Sequence, residues 1–330
     1  MPNEKMNALI AGVGVCIPDT VLTNQDLAIK MDTSDEWILT MTGIRERHIA
    51  GPKQATSDLG IIAAEQAMIR AGCDRTDVDL IITATMSPDL PVPATACIIQ
   101  EQLGMKNTPA FDVAAGCSGF IYALVVGSQF ISTGLYRTVL VIGAEANSRI
   151  ANWEDRGSCI VIGDGAGAVV LRATSLEHGI LSMCLGADGS GVKHLYIPAG
   201  GTCMAVTAQN IAANMNKVKM DGQEVFQFAM RMLPKVTEQA LKLAKINKED
   251  VALIIPHQAN LRIIEAAARR MDLPMDKFMV NLERYGNTSS ASIPIALHEA
   301  LETGRIKSGD VIVLAGFGAG LTWGAVVIRW

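Results

Sequence analysis

Charge and aromatic rings are both in short supply in this 330-residue chain, at 18% and 5% of residues. Basic side chains are outnumbered, 28 against 33 acidic ones, for a formal charge of −5. That balance excludes a protein that coats nucleic acid, whose affinity needs a basic surface. Cysteine occurs without a disulfide pattern: the seven residues Cys16, Cys73, Cys97, Cys117, Cys159, Cys184 and Cys203 are odd in number and include no CxxC. A disulfide scaffold is thereby excluded, and a reducing, cytoplasmic compartment is expected. The five histidines form no HExxH and no Cys/His cluster, so no metal site is expected. Ala11-Gly-Val-Gly-Val lacks the third glycine of a dinucleotide fingerprint. Apolar residues, by contrast, make up 49% of the chain, enough for a large core and too many for disorder. The 30 glycines suit tight strand–helix turns and backbones packed close together.

Two stretches without a charge are long enough to cross a bilayer: 113–136, with 24 residues, and 311–328, with 18. The first is broken by Gly116, Gly119, Gly127 and Gly134 and carries five Ser, Thr and Gln residues. The second is cut by Gly316, Gly318, Gly320 and Gly324. A buried helix and a pair of buried strands are therefore expected, with no membrane insertion. The apolar run Ala8 to Ile17 lacks an A-x-A cleavage site and reads as a first strand.

The chain resembles itself. Asp77-Val-Asp-Leu-Ile-Ile-Thr matches Asp250-Val-Ala-Leu-Ile-Ile-Pro at an offset of 173. Val139-Leu-Val-Ile-Gly matches Val311-Ile-Val-Leu-Ala-Gly at 172, and Gly163-Asp-Gly-Ala-Gly-Ala-Val-Val-Leu matches Gly318 onward more loosely. Two similar halves, 1–174 and 175–330, follow from these offsets. Within each half, short β-branched runs alternate with helical stretches such as Ser57 to Ala71, which has Ser57 as a candidate N-cap and Gly72 as its stop. Strands of this kind are buried on both faces, so the fold class is α/β with layered sheets and helices.

Four local features could carry chemistry. In Phe111-Asp-Val-Ala-Ala-Gly-Cys117-Ser-Gly-Phe a strand stops and a buried helix begins, with Cys117 at the helix start. Unpaired N–H groups and the helix dipole favour a thiolate there, with a lowered pKa and nucleophilic character; an inert buried thiol is the alternative. In Leu253-Ile-Ile-Pro-His257-Gln-Ala-Asn260-Leu-Arg262 a histidine lies just past a buried strand, where open α/β sheets form their sites, and a helix opens near Asn260. In Tyr285-Gly286-Asn287-Thr-Ser, Asn287 could be a catalytic amide or an ordinary turn residue. The 172 offset maps Cys117 onto Ser289, two residues further on. Gly316-Phe-Gly-Ala-Gly-Leu-Thr-Trp323-Gly links two apolar strands, and its backbone N–H groups could form an oxyanion hole.

Taken with Thr33-Ser-Asp-Glu-Trp37-Ile and Thr42-Gly-Ile-Arg-Glu-Arg-His, these motifs resemble the beta-ketoacyl-acyl carrier protein synthase III family, in family order through nearly the whole chain. The resemblance implies the thiolase-like fold, a duplicated five-layer α-β-α-β-α architecture, and a homodimer. It implies a ping-pong decarboxylating Claisen condensation of an acyl-CoA with malonyl-acyl carrier protein, initiating fatty acid synthesis without a cofactor. Cys117, His257 and Asn287 would then be catalytic, with the N–H groups of Cys117 and Ala319 as the oxyanion hole. Trp37 and Arg156 would sandwich the CoA adenine. Thr33, Gly157, Gly222, Phe226, Asn260, Arg262 and Phe317 would complete the CoA and substrate contacts. Gln258, Ala259, Asn260, Leu261, Arg262, Arg269 and Arg270 would dock an acidic acyl carrier protein.

Three positions depart from the family pattern: Met41 where an Arg is expected, Gln227 where a Lys often docks the carrier, and Val92 where a Phe often closes the partner subunit's acyl pocket. The smaller Val92 suggests a medium-chain or branched primer. The lost Arg and Lys leave open a specialised enzyme of secondary metabolism that takes malonyl-CoA or another acceptor. A biosynthetic thiolase needs a second catalytic Cys in the C-terminal half, and no Cys follows Cys203. A cysteine protease does not fit the duplicated pattern, and a silent chain-length factor would lack the nucleophile.

Overall fold

A strand that is apolar along its whole length is stable only between two covering layers. Leu80–Ala84, Thr138–Glu145 and Val311–Gly318 are buried at every position. The chain, described here over residues 6–174 and 177–330 of a computed structural model, builds its layers around them. We label the strands of the two large sheets β1 (Asn7–Cys16), β2 (Leu80–Ala84), β3 (Ala110–Val113), β4 (Thr138–Glu145), β5 (Gly165–Thr174), β6 (Gly179–Ala187), β7 (Leu253–Pro256), β8 (Val311–Gly318) and β9 (Thr322–Arg329). The helices that matter for the site are α1 (Asp35–Thr42), α2 (Thr56–Ala71), α3 (Gly119–Ser132), α4 (Gly222–Ala244), α5 (Leu261–Met271) and α6 (Ser292–Glu302).

The first sheet has the order β1-β5-β4-β2-β3 and the second β6-β9-β8-β7. The pairings repeat as well: two antiparallel ladders, then a parallel one. The parallel β2–β3 ladder of the first sheet is reduced in the second to a single parallel bridge, Ile254 to Phe278. The expected boundary between the halves meets residues 175 and 176, which lie outside the described residues.

Period-2 alternation sorts the strand side chains into layers. Leu80, Ile82, Val139 and Val141 face a central core shared with Leu253, Ile255, Ile312 and Leu314. This core holds α3 and α6 between the two sheets. The alternate residues Ile81, Leu140 and Ile142 pack under α2, and Ile254, Val311 and Val313 pack under α4 and α5. The result is the five-layer thiolase-like α/β fold. The two charge-free stretches become α3 with its approach and the β8–β9 hairpin. Among the described residues no helix is long and apolar enough to cross a membrane.

One cap differs from expectation. Helix α2 starts after Ala55, whose N–H is taken by Asp58 (2.8 Å), while the hydroxyl of Ser57 donates to Asp89 (2.6 Å). At the other end Gly72 adopts φ +55°, the left-handed conformation that closes a helix.

Helix α2 lies against β1 almost without side chains between them. A Cβ at Gly12 would come within 2.3 Å of the Ala67 carbonyl oxygen, and one at Gly14 within 2.2 Å of that of Ala63. Gly12→Ala is therefore expected to lower stability by about 1–3 kcal/mol through overpacking. The measurement is the urea midpoint at unchanged m value; an unaltered midpoint would show that the helix can back away freely.

Candidate active site

Cys117 occupies a single turn, Gly116–Ser118, between β3 and α3. Gly116 has φ +55°. This turn meets the end of β8 backbone to backbone. A Cβ at Gly116 would lie 2.5 Å from the Ala319 nitrogen, and one at Gly318 would lie 2.4 Å from the Cys117 nitrogen. The two glycines are thus what bring the N–H groups of Cys117 and Ala319 into one neighbourhood.

His257 follows β7, its N–H bonded to the Ala315 carbonyl of β8 (2.8 Å). The ring is buried edge-on against Phe317, with centroids 5.2 Å apart. Its Nδ1 meets Ser292 Oγ at 2.7 Å, at the first residue of α6. That oxygen also accepts the Gln258 N–H (3.4 Å). With Ser292 donating to Nδ1, the ring proton is on Nε2. Asn287 is fixed by backbone bonds to Val161 (2.6 Å) and Gly163 (3.0 Å). Its Oδ1 accepts the Ser289 N–H at 2.8 Å, which leaves the Nδ2 donors for the cavity.

Cys117, His257 and Asn287 all line one cavity of about 440 Å³. Trp37, Gly157, Gly222, Phe226, Asn260, Arg262 and Phe317 line the same cavity, as does Met41. The Asn260 amide is already engaged: it caps α5 through Arg262 N–H and donates to the Met41 carbonyl. The Arg156 guanidinium lies directly over the Trp37 ring, 4.7 Å from its centroid. The pair is therefore in mutual contact, and an adenine could lie between them only after they part. Thr33 does not line the cavity, although its Oγ1 is buried without a hydrogen-bond partner.

Gln258 is a correction. It is buried, with Nε2 on the carbonyls of Pro256 (2.8 Å) and Met279 (3.0 Å) and Oε1 on the Asn281 N–H (3.0 Å). Such a clamp cannot form a docking surface. Arg262, Arg269 and Arg270 are exposed along α5, while Ala259 and Leu261 are half-buried.

A second, smaller cavity of about 60 Å³ also opens on Cys117, walled by Met86, Ile150, Leu195, Val218 and Met220. At liquid density that is the space of about two water molecules. Val92 itself is 82% exposed and lines neither cavity.

Electrostatics reverse one expectation. Burial pushes the Cys117 thiol up to about 12; the Ser289 hydroxyl beside it opposes this shift and the Glu145 charge adds to it. Burial also pulls His257 down to about 3, so the imidazole is neutral at physiological pH. The helix end alone predicts a lowered thiol pKa, but the depth of the site outweighs it. Glu145 was missed from sequence. It is fully buried at the end of β4 and accepts from Ser87 Oγ (2.6 Å) and Ser290 Oγ (2.8 Å). Burial raises its pKa while these hydroxyls lower it. The signal was available: a lone acid closing an apolar strand must find donors. Ser292 was missed as well, and nothing local in the sequence marks it.

The model of the 3-oxoacyl-[acyl-carrier-protein] synthase III family matches residues 111–189, and that of the same family's C-terminal region matches 241–330. The chain is 51% identical over 327 residues to beta-ketoacyl-[acyl-carrier-protein] synthase III of Caldanaerobacter subterraneus subsp. tengcongensis, covering 99% of each. The chain belongs to the 3-oxoacyl-[acyl-carrier-protein] synthase III family. As a synthase III it is an acyltransferase. Its namesake in Symbiobacterium thermophilum is also 51% identical, over 97% of each chain. The crystal structure of the synthase III of Aquifex aeolicus superposes with a TM-score of 0.91 at 44% identity, covering 98% of this chain and all of that one.

The raised thiol pKa makes a measurable claim about this synthase III. Alkylation of Cys117 by iodoacetamide, followed peptide by peptide so that exposed Cys97 and Cys203 are separated, should keep rising with pH beyond 9. A plateau reached below pH 8 would instead mean that the helix end holds a resting thiolate.

Proposed function

We propose that this synthase III condenses a short acyl-CoA with malonyl-acyl carrier protein, using Cys117, His257 and Asn287 in separate half-reactions. The observation that carries the reading is that these three side chains line one cavity, with the Cys117 and Ala319 amides brought together at its end. In the first half-reaction Cys117 Sγ attacks the thioester carbonyl. The C–S bond to CoA breaks, and the thiol proton ends on the departing CoA sulfur. The oxyanion formed on the way is held by the Cys117 and Ala319 N–H groups.

In the second half-reaction the malonyl thioester loses CO2 and its enolate oxygen receives hydrogen bonds from His257 Nε2 and Asn287 Nδ2. The enolate carbon attacks acyl-Cys117, the Cys sulfur leaves as a thiolate that takes up a proton from solvent, and a 3-oxoacyl thioester is released. Neutral donors suit this step. A charged imidazole in an apolar cavity would be costly, and a pre-aimed neutral donor needs no reorganisation. Ser292 serves as the residue that keeps the ring proton on Nε2. The exposed arginines Arg262, Arg269 and Arg270 offer an acidic carrier protein a basic face, and exposed Leu90 and Val92 offer apolar surface to a second copy in a homodimer.

Separating the half-reactions tests the assignment. Cys117→Ala should abolish formation of a covalent acyl adduct seen by mass spectrometry. His257→Ala and Asn287→Ala should keep the adduct and lose malonyl decarboxylation by about 10²–10³ each. Full decarboxylation in both would refute the roles. The pH dependence follows from the buried ring: with His257 held near 3, decarboxylation should show no imidazole limb around pH 6.5. A limb there that disappears in His257→Gln would mean that the charged ring takes part.

A further inference from the structure

The small cavity beside Cys117 is not uniformly apolar. Asn147 stands in its wall, almost completely buried. Its Nδ2 donates to the Gly163 carbonyl at 3.2 Å. Because that partner is an acceptor, the amide cannot be turned round, and Oδ1 is the atom left over. Oδ1 is buried and has no hydrogen-bond partner. Ser289, in the same wall and equally buried, has its hydroxyl beside the Cys117 thiol. An amide oxygen kept dry and unpaired is costly, and an apolar residue of similar size would remove that cost. Met86, Ile150, Val218 and Met220 supply no side-chain donor, Ser158 gives its proton to Asp155 (2.6 Å), and the donors of Cys117, Asn287 and Ser289 in the same wall make no hydrogen bond to Oδ1. The donor that Asn147 lacks is one that an occupant of the cavity would bring.

We propose that Asn147 selects the primer, and that the preferred acyl group is a short one bearing a hydroxyl, whose O–H donates to Asn147 Oδ1. This rests on the reading that an acyl-CoA acylates Cys117, and it names the class of acyl group within that reading. The small volume of the cavity, about 60 Å³, favours an acyl group of few atoms beyond the carbonyl. The hydroxyl takes no part in bond making. Cys117 Sγ still displaces the CoA thiol, which leaves with the proton, and the hydroxyl is retained in the acyl-enzyme.

Shape-matched pairs isolate the effect of one O–H. Acylation of Cys117 is followed by mass spectrometry with 3-hydroxybutanoyl-CoA, as each enantiomer, against 3-methylbutanoyl-CoA, and with 2-hydroxypropanoyl-CoA against 2-methylpropanoyl-CoA. In each pair a hydroxyl replaces a methyl. In at least one pair the hydroxylated ester should give a kcat/KM for acylation about ten- to one-hundred-fold higher. Asn147→Leu should reverse that preference while still being acylated by the methyl-branched ester. If Asn147→Leu fails to fold, Asn147→Ala is judged by loss of the preference. A ratio of one or below in every pair for the unmodified protein overturns the proposal. So does a preference that survives loss of Asn147. Absence of an adduct with all of these esters and with acetyl-CoA is a different result: it defeats the acylation reading itself, and the primer proposal with it.

Discussion

The structure depends on one close approach between backbones. The Cys117 turn comes from the first sheet's side of the molecule and the Gly316–Ala319 stretch from the second, and they meet where neither Gly116 nor Gly318 has room for a Cβ. That contact requires the sheets to be held at a fixed separation, which is the work of α3 and α6 in the central layer. It also explains why apolar burial and glycine coexist so heavily in the sequence. The apolar strands fix the spacing, and the glycines let main chain, rather than side chain, fill the last gap. Glu145 and Ser290 reinforce the same junction from one side, joining the end of β4 to the turn that leads into α6.

Depth then determines the chemistry. A thiol pushed up to about 12 and an imidazole pulled down to about 3 cannot form a resting ion pair in this cavity. The site therefore differs in kind from a thiolate–imidazolium pair. Each side chain is neutral at rest, and charge appears only during reaction, on oxygens that meet N–H donors. In a medium from which water is excluded such donors count for more than they would in solvent, because they neither move nor compete with bulk water. The Nδ1–Ser292 and Oδ1–Ser289 hydrogen bonds matter here for what they leave over: one donor on His257 and a pair on Asn287, each with its other polar atom already engaged.

Much of this was legible in the sequence because the informative residues sit at the ends of strongly apolar runs. Pro256 closes a strand without ambiguity, so His257 had to lie at a strand end. The 172 and 173 offsets mark an internal repeat in the sequence. Features decided by depth were not legible. Gln258 has a surface residue's composition but fills a buried backbone clamp, because the chain between β7 and α5 turns inward there and leaves carbonyls that need donors. The direction of the Cys117 shift was misjudged for the same reason: a helix start can be recognised in sequence, but the thickness of protein above it cannot. Trp37 and Arg156, expected to flank the CoA adenine, stand in contact, the guanidinium 4.7 Å from the ring centroid.

The departure from exact duplication lies beside the smaller cavity. In the first sheet β4 pairs with β5 so that Val139 faces Leu171; in the second Val311 faces Arg329. The offset thus falls from 172 to 158 across the repeat. The shortfall has a location: β8 and β9 are joined by residues 319–321 alone, whereas β4 and β5 are separated by residues 146–164. That extra segment carries Asn147, Ile150, Arg156, Gly157 and Ser158, which line the two cavities or lie on the Trp37 ring at the edge of one. A duplicated scaffold with two short hairpins would bring Cys117 and His257 together yet leave them without a wall on the acyl side. The symmetric part of the fold assembles the reacting groups, and the inserted part of one half contributes Asn147, Ile150 and Ser158 to the wall of the smaller cavity. Changes in primer preference should therefore accumulate in 146–164 without disturbing the junction of Gly116 with Ala319, because the two are built from different segments of chain.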